Sequence, residues 1–146
     1  MSCSNDNALK IELNVLDEKF KFGGTARSNP EVVIDYFPPV GTGEGYTSLE
    51  MLMLSFGSCI STTVGSILRY RMKKTITGIR VTVCGVVKEE HPKCLSEINA
   101  VIEFTSNDLT EYDVETALSD AEDKFCPVWA MIKGNAKIDV QCKIIS

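Results

Sequence analysis

The sequence predicts an α+β domain with a β-rich start, a long central helix, a β-hairpin, two further helices and a C-terminal strand. Three observations support this. Period-two hydrophobic alternation occurs near both ends of the chain, while Leu52, Met53, Phe56, Ile60, Val64 and Leu68 follow helical spacing. No repeat, low-complexity tract or internal linker divides residues 1–146, so one domain is expected. With 146 residues, 44% of them hydrophobic, the chain is large enough to bury roughly 70% of its unfolded surface without help from disulfides.

Alternation in Leu9-Lys10-Ile11-Glu12-Leu13-Asn14-Val15-Leu16 reads as a half-buried strand. Phe20-Lys21-Phe22 continues the pattern up to a break at Gly23-Gly24, and Val32–Phe37 is a third strand candidate. Two prolines and three glycines make Pro38–Tyr46 a loop. Thr47-Ser48-Leu49-Glu50 has the form of a capping box, so the central helix begins there. Its apolar spacing carries it to about Lys74, with Gly78 as the expected stop; about 25 residues of helix span roughly 37 Å. Glu50, Arg69 and several Ser and Thr residues interrupt the run, which argues against a membrane span.

Ile79–Val87 and Ser96–Phe104 form the hairpin, joined by a charged loop holding His91 and Pro92. Thr110 caps the next helix, whose buried stripe is Val114, Ala117, Leu118 and Ala121. Cys126-Pro127 ends it and starts a short helix reaching about Gly134, because proline is tolerated at the first helical position. Lys137–Ile144 is the closing strand.

A formal net charge of -5 argues against a general nucleic-acid binder. The one compact basic cluster, Arg69-Tyr70-Arg71-Met72-Lys73-Lys74, sits at the expected C-terminal end of the central helix, where cations offset the helix dipole. Met1–Asn7 is polar and lacks the basic and apolar regions of a signal peptide, so a cytoplasmic location is expected. In that compartment the six cysteines, Cys3, Cys59, Cys84, Cys94, Cys126 and Cys142, are expected to be mostly reduced. With no C-x-x-C spacing and a single histidine, no zinc site or other cofactor site is expected.

Two of these cysteines attract chemical interest. Cys126 opens a helix, where free amides and the dipole favour a thiolate. Cys59 lies inside the central helix, where apolar burial opposes a thiolate, so its reactivity requires a nearby cation or hydrogen-bond donor. Cys84 and Cys142 sit in strand patterns as small hydrophobes, whereas Cys94 at a loop edge and Cys3 in the terminal segment are open to adventitious oxidation. Trp129 and Met131 suit either a pocket wall or the core.

Gly57-Ser58-Cys59 within a long helix, followed by Cys126-Pro127-Val128-Trp129-Ala130-Met131, resembles the OsmC/Ohr superfamily of osmotically inducible and organic hydroperoxide resistance proteins, in a divergent OsmC-like branch. The resemblance extends over most of the chain. It implies an intertwined homodimer and a cysteine-based peroxidase of the oxidative stress response, acting on organic hydroperoxides or hydrogen peroxide. Cys59 would take the peroxidatic place and Cys126 the resolving one, joined in a disulfide that an external dithiol, such as a protein-bound lipoyl group, reduces. Family peroxidases also use a glutamate ten residues before the first cysteine and an arginine. Here Leu49 holds that place; Glu50 is either a displaced activator or only a helix cap, and Arg27 is either the activating arginine or a solvated turn residue. The alternative is a non-catalytic dimer that binds a small hydrophobic ligand in its interface cleft.

Overall fold

A computed structural model describes residues 5–146 and divides them into two units, the first ending at Met51 and the second spanning Leu52–Ser146. The mixed α+β architecture expected from the sequence is present, as two three-stranded sheets and three α-helices.

In the first unit β1 (Glu12–Val15), β2 (Phe22–Thr25) and β3 (Val32–Ile34) form an antiparallel meander in the order β1-β2-β3. The β1–β2 turn is set by Asp17, whose carboxylate accepts the amides of Lys19 at 2.9 Å and Lys21 at 3.2 Å. Gly23-Gly24 was expected to break the strand; instead both residues pair within β2, opposite Val33 and Val32. Glycine is used here for close approach, since a Cβ on Gly23 would overlap the Glu31 carboxylate. The expected half-burial of β1 is also corrected: all four residues are exposed, including Leu13 and Val15.

The loop after β3 is organised by one buried carboxylate. Asp35, 1% exposed, accepts hydrogen bonds from the Tyr36 amide (2.8 Å), the Thr42 amide (3.1 Å), the Thr42 hydroxyl (2.7 Å) and the Glu44 amide (3.2 Å). Gly41 must stay glycine, because a Cβ there would overlap Asp35 Oδ1 and the Tyr36 carbonyl. Burial pushes the Asp35 pKa up, but the Thr42 hydroxyl and the amides of Glu44, Thr42 and Tyr36 together outweigh it and bring the value down to about 2. A folded value below the unfolded one means that the ionised group stabilises the fold above about pH 4, and that this contribution is lost as the pH falls toward 2. Asp35→Asn should lower the urea midpoint at pH 7 and flatten its decline between about pH 4 and 2. A mutant acid limb as steep as the native one would exclude this role.

The first unit closes on the start of α1 (Ser48–Ser66), where the capping box forms as expected: the Glu50 amide donates to Thr47 Oγ1 at 3.3 Å and the Thr47 amide to Glu50 Oε2 at 3.4 Å.

In the second unit β4 (Gly78–Val87) and β5 (Leu95–Thr105) form the hairpin, with a bulge at Val86/Val87. The last strand, β6 (Lys137–Ile145), runs parallel to β5. A parallel neighbour needs a crossover, which α2 (Glu111–Asp120) and α3 (Pro127–Ile132) supply. The predicted cap of α2 is present as a reciprocal pair: the Asp113 amide donates to Thr110 Oγ1 at 3.2 Å and the Thr110 amide to Asp113 Oδ2 at 2.9 Å.

Phe56, Ile60, Val64 and Leu68 of the central helix are completely buried, as are Ile102 and Phe104 of β5. At roughly 1.5–3 kcal/mol per large side chain, this face is the main stabilising surface of the unit. A second, small-residue stripe runs beside it through Gly57, Ser61 and Gly65. A Cβ on Gly57 would sit 2.9 Å from Val83 Cγ2, and one on Gly65 would sit 3.3 Å from Ile79 Cδ1, so these glycines let the helix lie against β4. Ser61 Oγ satisfies itself by donating to the Gly57 carbonyl at 2.6 Å. By length and composition Ser48–Arg71 could cross a membrane, but its fully buried stripe is that of a core helix.

The helix ends earlier than expected. It widens into a π-helical turn at Ile67–Arg71 and stops where Lys73 turns left-handed (φ 59°), with the Lys74 amide donating to the Leu68 carbonyl at 3.0 Å. Gly78 instead opens β4. Three of the basic residues here have partners: Arg69 donates to the Ile76 carbonyl at 3.0 Å, Arg71 pairs with Asp120, and Lys74 lies 3.0 Å from Asp113.

Candidate active site

Cys59 lies on α1 and Cys126 in the junction before α3, 67 residues apart in sequence, yet their sulfurs are 3.5 Å apart. Both are free thiols, with Cys126 directed as donor toward Cys59 Sγ. A disulfide needs about 2.05 Å, so bond formation asks for a movement of only roughly 1.5 Å.

A pair of aromatic residues brings the two segments together. Phe56 is three residues before Cys59 and Trp129 three residues after Cys126, which on a helix puts each ring close to the face of its cysteine. The two rings meet edge to face, with centroids 5.8 Å apart and planes at 88°. Both are buried, whereas Met131, the other candidate for a pocket wall, is 80% exposed.

The immediate backbone is fully engaged. The Cys126 amide donates to the Ala121 carbonyl at 2.8 Å and its carbonyl accepts the Ala130 amide at 3.1 Å. Thr63 Oγ1 donates to the Cys59 carbonyl at 2.8 Å.

The electrostatics correct one sequence expectation. The helix start was expected to favour a Cys126 thiolate, but Cys126 is only 2% exposed and its pKa is raised. Burial is the largest cause; the amides of Trp129 and Val128 pull the other way, while the neighbouring Cys59 pushes it further up. A six-residue helix without a side-chain cap hydrogen bond does not offset that desolvation. Cys126 therefore keeps its proton at neutral pH and offers it to the half-buried Cys59.

The other thiols separate from this pair. Burial raises Cys142 to about 11, which makes it a poor nucleophile. Cys84, expected to be a buried small hydrophobe, is exposed on β4, and Cys94 is half-buried at the edge of β5. Cys3 lies outside the described residues.

Glu50 and Arg27 belong to the first unit. Glu50 is committed to the Thr47 capping box. Arg27 is an exposed residue of the β2–β3 turn with a left-handed backbone (φ 58°), next to the Asn29-to-Ala26 hydrogen bonds that close the turn. The Phe56–Trp129 contact and the Gly57-Ser61-Gly65 stripe were not foreseen. Their signals are present in the sequence as aromatics one turn from each cysteine and small residues four apart.

Residues 41–141 match the OsmC-like protein family, a span that includes both cysteines. The chain belongs to that family. Its place in the OsmC/Ohr superfamily is a divergent one. Among solved structures, this OsmC-like chain is similar to a hypothetical protein from Aquifex aeolicus VF5, at 25% identity and TM-score 0.81 over 94% of this chain and 96% of that one. It is also similar to an OsmC like protein from Mycoplasma pneumoniae, at 21% identity and TM-score 0.81 over 97% and 100% of the two chains. The organic hydroperoxide resistance protein OhrB of Bacillus subtilis shares the fold at 15% identity and TM-score 0.60, over 94% and 97%. No curated protein matches the chain.

Proposed function

We propose that this OsmC-like protein is a thiol-dependent peroxidase that uses Cys59 and Cys126. The observation that carries the reading is the 3.5 Å contact between the two sulfurs, one half-buried and one buried. The Cys59 thiolate attacks the terminal oxygen of a hydroperoxide; the O–O bond breaks, the departing alkoxide or hydroxide takes up the proton that Cys59 gave up on ionising and leaves as an alcohol or water, and Cys59 becomes a sulfenic acid. The Cys126 sulfur then attacks the Cys59 sulfur. The S–O bond breaks, and the displaced oxygen takes up the Cys126 proton and leaves as water. An external dithiol reduces the disulfide and becomes a disulfide itself, so the two electrons that reduced the peroxide come from that donor.

Assembly as a homodimer belongs to the same proposal. Ile11, Leu13 and Val15 are exposed along and beside β1, and a second copy would cover such a row.

Treatment with one equivalent of cumene hydroperoxide, followed by a non-reducing peptide map, tests the chemistry. A Cys59–Cys126 cross-linked peptide is the expected product, absent from Cys59→Ser. Five or six unchanged free thiols, or a disulfide between other cysteines, would reject the reading.

A further inference from the structure

The residue before Cys126 ends a π-helical turn, Ala121–Phe125, in which the Cys126 amide reaches back five residues to the Ala121 carbonyl at 2.8 Å. A π turn holds one more residue than an α turn. Its relaxation to regular helix would rotate Cys126 by roughly 100° about the axis and take its sulfur off Cys59. Both ends of this turn are held by the same side chain. Arg71, at the C-terminal end of the central helix, pairs with Asp120 just before the turn, and its guanidinium lies 5.8 Å from the ring centroid of Phe125 at the turn's last residue.

We propose that Arg71 is a positioning residue for the resolving cysteine, fixing the π turn so that Cys126 Sγ stays directed at Cys59. Arg71 acts only through the residues on either side of the turn. Asp120 has a second cation, Lys124 at 3.5 Å, but Lys124 belongs to the turn itself and cannot tie it to α1. The planar guanidinium can hold the carboxylate at its edge while its face covers the ring, which an ammonium does not do. The inference rests on the two-cysteine reading and assigns Arg71 to its second step, in which Cys126–SH and Cys59–SOH give the disulfide and water.

Wild type, Arg71→Gln, Arg71→Lys and Phe125→Leu are mixed with cumene hydroperoxide in a quench-flow instrument; dimedone traps Cys59 sulfenic acid and intact mass reports the disulfide. Arg71→Gln should form sulfenic acid within about twofold of the wild-type rate but close the disulfide about tenfold more slowly, the scale of a small misplacement of reacting atoms. It should also accumulate sulfinic acid in excess peroxide. Arg71→Lys and Phe125→Leu, each retaining one of the two contacts, should fall between. Disulfide closure at the wild-type rate in Arg71→Gln overturns the proposal and leaves the peroxidase reading standing. Absence of both sulfenic acid and the Cys59–Cys126 disulfide in the peroxide-treated wild type rejects that reading instead. Diamide, which oxidises two thiols to a disulfide without peroxide, then makes the same comparison of closure rates: slower closure in Arg71→Gln supports the positioning role and equal rates refute it.

Discussion

Cys59→Ser is expected to lower hydroperoxide consumption roughly 10³-fold or more, to the level of unassisted thiols, because in the proposed mechanism it removes the nucleophile of a unit whose parts act together. Cys126→Ser should behave differently. Its first equivalent of peroxide is consumed at nearly the wild-type rate, after which turnover stops with sulfenic acid held at Cys59 and further peroxide drives it to sulfinic acid. The second step of the proposed mechanism has its own pH dependence. Burial holds the Cys126 pKa above the ordinary thiol value, so the reacting thiolate fraction, and with it the closure rate, should rise about tenfold per pH unit through neutral pH and continue rising past pH 9. Stopped-flow consumption at several pH values with quantitative thiol counts separates the two steps. Multiple turnovers in Cys126→Ser, supported by a dithiol at the wild-type rate, would show that Cys126 does not resolve the intermediate.

The sequence shows some parts of this architecture more clearly than others. The capping boxes at Thr47 and Thr110, the apolar stripe from Phe56 to Leu68 and the β4–β5 hairpin are local patterns, so residues close in sequence were enough to place them. The strand through Gly23-Gly24 was not visible, since glycine punctuates a local reading and only the crowding by Glu31 accounts for its use. The helix end was misplaced for a similar reason: Lys73 adopts the left-handed conformation that glycine usually supplies. At the candidate site, the two cysteines singled out from the sequence lie with their sulfurs 3.5 Å apart, but the balance between helix amides and burial at Cys126 was not legible. Desolvation depends on the tertiary surroundings, and here it reverses the expectation from the Cys126-Pro127 helix start alone.

Trp129→Ala should be the most destabilising substitution near the site, and its effect should reach the chemistry. The indole is almost fully buried, so truncation costs about 3–5 kcal/mol, a large share of the roughly 5–15 kcal/mol that stabilises a domain. Its edge-to-face contact with Phe56 contributes about 0.5–1.5 kcal/mol beyond burial. Phe56→Ala and Trp129→Ala should therefore be non-additive, the double variant being less destabilised than the sum of the two. Urea midpoints at unchanged slope measure this directly. Since the same ring pair joins the helix carrying Cys59 to the helix following Cys126, diamide-driven closure of the disulfide should slow in Trp129→Ala under conditions where it remains folded. Trp129→Phe, which keeps an aromatic edge for Phe56, should recover most of both effects. A Trp129→Ala protein that melts earlier yet closes the disulfide at the wild-type rate would mean that the two sulfurs are held together by the backbone of the Cys126 junction rather than by the rings.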